Sequence, residues 1–142
     1  MTLALIVILP FVAGAVLLAT ANAARLLSAT IALLFTIAAG ALLALQIPAV
    51  ASGAVLAAGW DWLPLPGARF GFRLDGLAAM FAGMVLVLGA LIIMYARYYL
   101  SARDPIARFY AFFMLFMGSM LGVVLADNLI LLAVFWELTS LS

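Results

Sequence analysis

The sequence predicts an all-α membrane protein with four complete transmembrane helices, a truncated fifth and a possible short interfacial β-hairpin. Composition is the first observation: 71% of the 142 residues are apolar and only 8% are charged. A soluble domain has about 25% charged residues. The second is a series of uncharged stretches, each long enough to cross a membrane. The third observation is an alternating apolar pattern in the segment that connects the second uncharged stretch to the third.

The residue types that are missing exclude several kinds of chemistry. Cysteine and histidine are absent, so disulfides, cysteine/histidine zinc sites and imidazole proton shuttles are excluded. The net charge is +1, and the six basic residues, all arginines, are scattered singly. This pattern gives no surface for nucleic acid. We therefore expect no nucleic-acid partner, no metal and no bound cofactor.

Four stretches are long enough to span the membrane, and a fifth begins after Asp127 and Asn128. Span one lacks the basic residues that precede a cleaved signal sequence. The fifth stretch reaches Ser142 in fewer than the ~20 residues that a crossing needs. The four predicted spans are residues 1–24, 26–45, 76–96 and 106–126.

We interpret residues 1–142 as a single membrane domain that is a fragment of a larger one. A helix that stopped inside the bilayer would leave carbonyls and a carboxylate in hydrocarbon. The alternative is a small mature protein whose last segment is re-entrant or interfacial.

Residues 46–74 form a long connection that we expect to be extracytoplasmic. Arg69, Gly71 and Arg73 alternate there with Phe70, Phe72 and Leu74, the period of a strand with one wet and one apolar face. Residues 60–62 alternate in the same way, and residues 63–67 supply a turn. The pattern predicts a hairpin at the membrane interface. An irregular loop carrying two tryptophans of an aromatic belt is the other interpretation.

The arginines predict an orientation. Arg25, Arg97, Arg103 and Arg108 fall on one side of the predicted spans, and Arg69 and Arg73 fall on the other. The positive-inside bias places the first group in the cytoplasm, with the N-terminus and the long loop outside.

Most of the remaining polar and small residues have structural interpretations. Asp75 and Asp104 precede spans three and four and are expected to cap them. Asp127, with Asn128, is expected to form the turn before span five. Gly118 and Gly122 have the GxxxG spacing that lets another helix backbone approach closely.

Glu137 is the candidate functional residue. It lies nine residues after Asn128, about 14 Å along a helix and near the middle of a ~30 Å hydrocarbon core. Charged residues at that depth are costly and often mark an ion or proton path. A structural carboxylate bonded to a neighbouring helix is the alternative. Ala133 and Ser140 share its face. All six arginines belong to loops or helix ends, so a cationic partner is expected beyond Ser142 or on another chain.

A resemblance to a known family is carried by four segments, residues 72–77, 95–99, 126–129 and 135–142. These segments resemble the antiporter-like membrane subunits. This family joins the A subunit of Mrp-type multisubunit Na⁺/H⁺ antiporters to the proton-pumping subunits of respiratory complex I and membrane-bound hydrogenases. The final segment looks most like the Mrp A subunit, and the resemblance implies that residues 1–142 are the N-terminal fragment of a larger antiporter-like transport domain.

The resemblance implies a role for Glu137. It matches a glutamate on transmembrane helix five that, in this family, pairs with a lysine on a later discontinuous helix and takes part in proton translocation. That lysine is absent here. The resemblance therefore implies part of a Na⁺/H⁺ antiporter in a bacterial or archaeal cell membrane, working with other membrane subunits. The alternatives are a subunit of a redox-driven proton pump and a non-transporting helical scaffold.

Overall fold

The computed structural model describes residues 1–20, 24–61, 69–101 and 105–142. Four apolar helical segments in these ranges are long enough to cross a membrane: Thr2–Ala19, Arg25–Ala51, Gly76–Tyr99 and Ile106–Leu125. A further apolar helix, Leu129–Leu141, has 13 residues. The elements are α1 (Thr2–Ala19), α2 (Arg25–Ala44), α3 (Ile47–Ala51), β1 (Leu56–Asp61), β2 (Arg69–Leu74), α4 (Gly76–Tyr99), α5 (Ile106–Leu125) and α6 (Leu129–Leu141). The predicted fold class is confirmed.

The helix boundaries differ from the predicted spans in several places, and α1 ends at Ala19, five residues before the predicted end of span one. The predicted loop begins with a turn at residues 45–46 and the short helix α3, which starts with Pro48 in its first turn. At the other end of the bundle, α4 extends three residues beyond the predicted span and includes Arg97. Its last turn is therefore partly polar and aromatic.

Helix α5 is central and packs against α1, α2, α4 and α6. Small residues let its neighbours come close. A Cβ on Gly14 of α1 would lie 3.1 Å from the Ala111 carbonyl oxygen, and one on Gly89 of α4 would meet the Met117 sulfur at 2.6 Å. Close packing at small residues is how helices associate without a hydrophobic driving force between them.

Buried polar side chains in the bundle satisfy their hydrogen bonds locally. The hydroxyls of Ser28, Thr36 and Ser119 donate to the carbonyl four residues earlier in their own helices. Tyr110 of α5 is fully buried, and its hydroxyl donates to the Ile93 carbonyl of α4 at 2.9 Å. Within the described ranges no buried side-chain nitrogen or oxygen lacks a partner, as a low-dielectric interior requires.

The hairpin prediction is also confirmed. β1 and β2 are antiparallel, and the register runs from Leu56 opposite Leu74 to Asp61 opposite Arg69. Phe72 and Leu74 are fully buried, so the apolar face of β2 is part of the bundle core. The predicted turn, residues 63–67, and Trp62 lie outside the described residues.

The described arginines lie at two opposite ends of the bundle. Arg25 begins α2, Arg97 is in the last turn of α4 and Arg108 is in the first turn of α5, so these three share one end. Arg69 and Arg73 are on the hairpin at the other end. Arg103 lies outside the described residues.

Candidate functional site at Glu137

Helix α6, which carries Glu137, begins at a side-chain cap. Asn128 is its N-cap, and the Asn128 Oδ1 accepts the Leu131 N–H at 2.9 Å. The Asn128 Nδ2 donates to the Arg69 carbonyl at 2.7 Å and to the Asp127 Oδ1 at 2.9 Å. One amide group therefore caps α6 and ties it to β2.

Asp127 adds a second tie between the hairpin and α6. Its peptide N–H donates to the Gly71 carbonyl at 3.0 Å, next to a β-bridge between Phe72 and Ala126. The Asp127 carboxylate occupies the space that a Cβ on Gly71 would fill. This contact explains why Gly71 is buried although it lies on the otherwise exposed face of β2.

Phe135 holds the middle of α6 against the bundle. Its ring occupies the space beside Gly122 of α5, where a Cβ would overlap the ring. The same ring lies 6.1 Å from the Phe72 ring, 6.3 Å from Phe11 and 6.4 Å from Phe70, between centroids. Aromatic contacts at these distances stabilise beyond their buried area. Phe135 therefore joins α6 to α1, α5 and the hairpin.

Glu137 lies on the opposite face of α6. Two residues after Phe135 is a rotation of about 200° in a helix, and the Glu137 side chain is exposed on the surface of this chain. Among the described residues it makes no hydrogen bond or ion pair. The neighbouring side chains on its face are also exposed and mostly apolar: Ile130, Ala133, Val134, Ser140 and Leu141.

Arginines that could neutralise a carboxylate are engaged or distant. The Arg25 guanidinium donates to the carbonyls of Arg97 at 2.9 Å, Leu100 at 2.7 Å and Ser101 at 2.5 Å. Arg73 forms an ion pair with Asp75 at 3.3 Å. Arg25 lies at the start of α2 and Arg73 lies in β2, whereas Glu137 is in the body of α6.

The other residues singled out in the sequence make local contacts. Asp75 is the N-cap of α4, and its Oδ1 accepts the Ala78 N–H at 2.9 Å. Gly118 faces the Phe11 ring, as Gly122 faces Phe135, so aromatic rings of this chain and not another helix backbone occupy the GxxxG notch. Asp104, the predicted cap of α5, lies outside the described residues. Pro105 is the residue that precedes the first turn of α5.

The Arg25 contact is a feature that the sequence did not predict. Its guanidinium satisfies carbonyls at the C-terminal end of α4, where the helix dipole favours a positive charge. The partners lie more than 70 residues away along the chain, and no local pattern reports such a contact.

The described residues contain no group of three or more acidic, histidine or cysteine side chains that could hold a metal ion.

Comparison with known proteins identifies the family. Residues 62–110 match the family described as NADH-ubiquinone oxidoreductase (complex I), chain 5 N-terminus. The A/B subunit of a probable K⁺/H⁺ antiporter of Rhizobium meliloti (strain 1021) is 56% identical over 94 residues, which are 66% of this chain and 9% of the relative. The A1 subunit of a Na⁺/H⁺ antiporter of Staphylococcus haemolyticus (strain JCSC1435) is 48% identical over 82 residues, 58% of this chain and 10% of the relative.

Solved structures share the fold. The Mrp complex from Dietzia sp. DQ12-45-1b matches with a TM-score of 0.79 and 30% identity over 99% of this chain and 15% of that one. An archaeal membrane-bound sulfane sulfur reductase matches with a TM-score of 0.81, covering 99% of this chain and 22% of that one, at 19% identity. The second likeness shows the fold alone.

These similarities place the chain among the antiporter-like membrane subunits, the class that Mrp antiporters share with complex I. Within that class it belongs with the N-terminal part of the A subunit of Mrp-type multisubunit antiporters. The chain spans about a tenth of the length of the first two relatives it matches.

Proposed function

We propose that this chain is part of a multisubunit antiporter that exchanges a monovalent cation, Na⁺ in the first instance, for protons. It contributes Glu137 to the proton path as a proton carrier. The observation that carries the proposal is the Glu137 carboxylate on the outer face of α6, unpaired within the described ranges and surrounded by apolar side chains. Similar proteins are named as Na⁺/H⁺ and K⁺/H⁺ antiporter subunits, which supports transport and not enzyme catalysis.

The proposed mechanism is electrostatic. Away from water the neutral acid is favoured, and a cation beside the carboxylate favours the charged form. We propose that a basic side chain from a helix outside residues 1–142 covers the Glu137 face. Proton arrival at Glu137 weakens that ion pair, and the change in field biases the next titratable site. The partners are therefore other membrane helices, of the same polypeptide or of other subunits.

The proposal includes the membrane arrangement. Residues 1–142 form one membrane domain in a bacterial or archaeal cell membrane, with the N-terminus and residues 46–74 outside. The observation that supports this orientation is the separation of Arg25, Arg97 and Arg108 from the two hairpin arginines.

Replacement of Glu137 in the complete assembly tests the proton-carrier role. Glu137→Gln keeps size and hydrogen-bonding capacity but cannot carry a proton, so we expect assembly in the membrane and loss of cation/proton exchange in everted vesicles. Trp136→Phe is the matched control, since Trp136 is also exposed on α6 and the substitution keeps an aromatic ring at this position. Full exchange by a correctly inserted Glu137→Gln assembly would refute the role.

A proton-pumping subunit of a complex I-like or hydrogenase-like assembly is the second candidate. The match of residues 62–110 to the complex I chain 5 family favours it. Purification of the intact assembly separates the two, because a redox pump brings electron-transfer subunits with it and pumps only while a donor is oxidised. The alternative of a non-transporting helical scaffold drew support from the GxxxG spacing as a contact site for another helix. That support is weaker because Gly118 and Gly122 pack against aromatic rings of this chain.

A further inference from the structure

A groove between α2 and α4 lies at the end of the bundle opposite the hairpin. It has a volume of about 260 Å³. Its lining combines apolar side chains with a guanidinium and a phenol, and none of the described residues that line it is acidic. The lining residues are Ala29, Thr30, Leu33, Ile93, Met94, Arg97 and Tyr98.

The guanidinium and the phenol lie at one end of the groove, and Leu33, Ile93 and Met94 lie deeper. Arg97 is in the last turn of α4. It lies close to Arg25, the first residue of α2, and the Arg25 guanidinium donates to the Arg97 carbonyl. From there the groove runs along α2 as far as Leu33, eight residues after Arg25 and therefore about 12 Å deeper. This layout matches a charged head group with the upper part of an acyl chain below it.

Arg97 is available to a ligand. Its guanidinium carbon lies 5.3 Å from the centre of the Tyr98 ring, a cation–π contact that orients the group. Across residues 1–20, 24–61, 69–101 and 105–142 its side chain has no carbonyl or carboxylate partner. A guanidinium has five N–H donors in a fork that fits phosphate oxygens.

Charge and surroundings identify the occupant. Arg25 adds a second positive charge beside the mouth of the groove. Tyr98 lines the groove, and Tyr95 and Tyr99 are exposed on other sides of the last turns of α4. Exposed tyrosines at a helix end are typical of the head-group layer of a membrane. Basic pockets between transmembrane helices bind anionic lipid head groups.

We propose that the groove between α2 and α4 is a binding site for one anionic phospholipid. Arg97 binds the phosphate, and the apolar walls formed by Leu33, Ile93 and Met94 hold the upper acyl chain. This site lies on different helices from Glu137 and does not depend on the proposed antiport activity.

Lipid titration of the purified, delipidated assembly tests the site by native mass spectrometry. We expect wild type to bind dioleoylphosphatidylglycerol in preference to dioleoylphosphatidylcholine, which has the same chains. Arg97→Gln should weaken the tightest phosphatidylglycerol binding about tenfold, the loss expected for a charge-assisted hydrogen bond. Arg108→Gln is the matched control, an exposed arginine at the same end that does not line the groove.

A photo-crosslinking residue at Met94 identifies the occupant without removing Arg97. Met94 is half exposed and lines the groove. Crosslinks to phospholipid support the proposal, whereas crosslinks to a helix of another segment or another protein of the assembly overturn it. Equal affinity of wild type for the two lipids, or no change in Arg97→Gln, also overturns it.

Discussion

The Asp127 peptide N–H donates to the Gly71 carbonyl at 3.0 Å and joins the segment before α6 to β2. The direction of α6, and with it the position of Glu137, therefore depends on contacts with the hairpin as well as on packing against α5. The Phe135 ring beside Gly122 fixes the middle of α6, and the Asp127 hydrogen bond fixes its start.

Gly71→Ala should loosen this junction. The new Cβ would take the space of the Asp127 carboxylate and displace it from the Asn128 amide, at a cost of about 1 kcal/mol for a lost hydrogen bond. Thermal unfolding of the detergent-solubilised assembly measures the change. Asp127→Ala removes the same hydrogen bond, so the double variant should be no less stable than Asp127→Ala alone, and the two losses should not add.

The control for this prediction is Gly76→Ala, at the start of α4, where a Cβ meets nothing within 4 Å. Equal destabilisation by Gly71→Ala and Gly76→Ala would show that the Asp127 contact is not the cause.

Gly122→Ala should displace α6 from α5. The Cβ would overlap the buried Phe135 ring, and overpacking of this kind costs about 1 to 3 kcal/mol. We expect a lower melting temperature and a reduced exchange rate, since Glu137 is two residues from Phe135. The double variant Gly122→Ala with Phe135→Leu should be more stable than Gly122→Ala alone because the smaller side chain makes room.

Gly40→Ala provides the comparison for Gly122→Ala. Gly40 lies inside α2, and a Cβ added there would have nothing within 4 Å. Alanine is the better helix former, so this variant should be neutral or slightly more stable. A Gly122→Ala protein as stable and active as Gly40→Ala would contradict the close contact between the Phe135 ring and Gly122.

The sequence predicted α1, α2, α4 and α5 because each has about 20 residues without a charge in its interior. It predicted β2 because Phe70, Phe72 and Leu74 alternate with polar residues or glycine. Glu137 stood out as an acid in an apolar segment. Its outward direction could not be predicted, because α6 is apolar on nearly every side and shows no face that must pack. Which face packs is decided by Phe135 and the notch at Gly122, a contact between helices.

Arg25→Gln should destabilise the end of the bundle that carries the proposed lipid groove. It removes charge-assisted hydrogen bonds to the carbonyls of Arg97 and Leu100. Because the group is only part-buried, we expect a loss of about 1 to 2 kcal/mol in total, below the sum for two buried bonds. Hydrogen–deuterium exchange should rise in the last turn of α4. Arg25→Lys keeps the charge but lacks the fork, so it should recover part of the stability.

Arg108 serves as the reference for the effect of charge alone. Arg108→Gln removes one positive charge from the same end of the bundle, and within the described ranges the Arg108 side chain makes no carbonyl contact. If this variant lowered stability as much as Arg25→Gln, net charge and not the carbonyl contacts would explain the effect.

Two substitutions at Asn128 should separate its two roles, the cap of α6 and the tie to β2. Asn128→Asp keeps a side-chain oxygen for the Leu131 N–H and adds a negative charge at a helix N-terminus, which is favourable. It cannot donate to the Arg69 carbonyl or to the Asp127 carboxylate, and the two adjacent carboxylates repel each other, so the tie to β2 is lost. Asn128→Ala loses both interactions, and a lost N-cap costs about 1 kcal/mol. Amide exchange should therefore rise at Leu131 in Asn128→Ala but not in Asn128→Asp, whereas exchange in β2 should rise in both. If Leu131 exchanged equally fast in the two variants, the side-chain cap would not stabilise the first turn of α6.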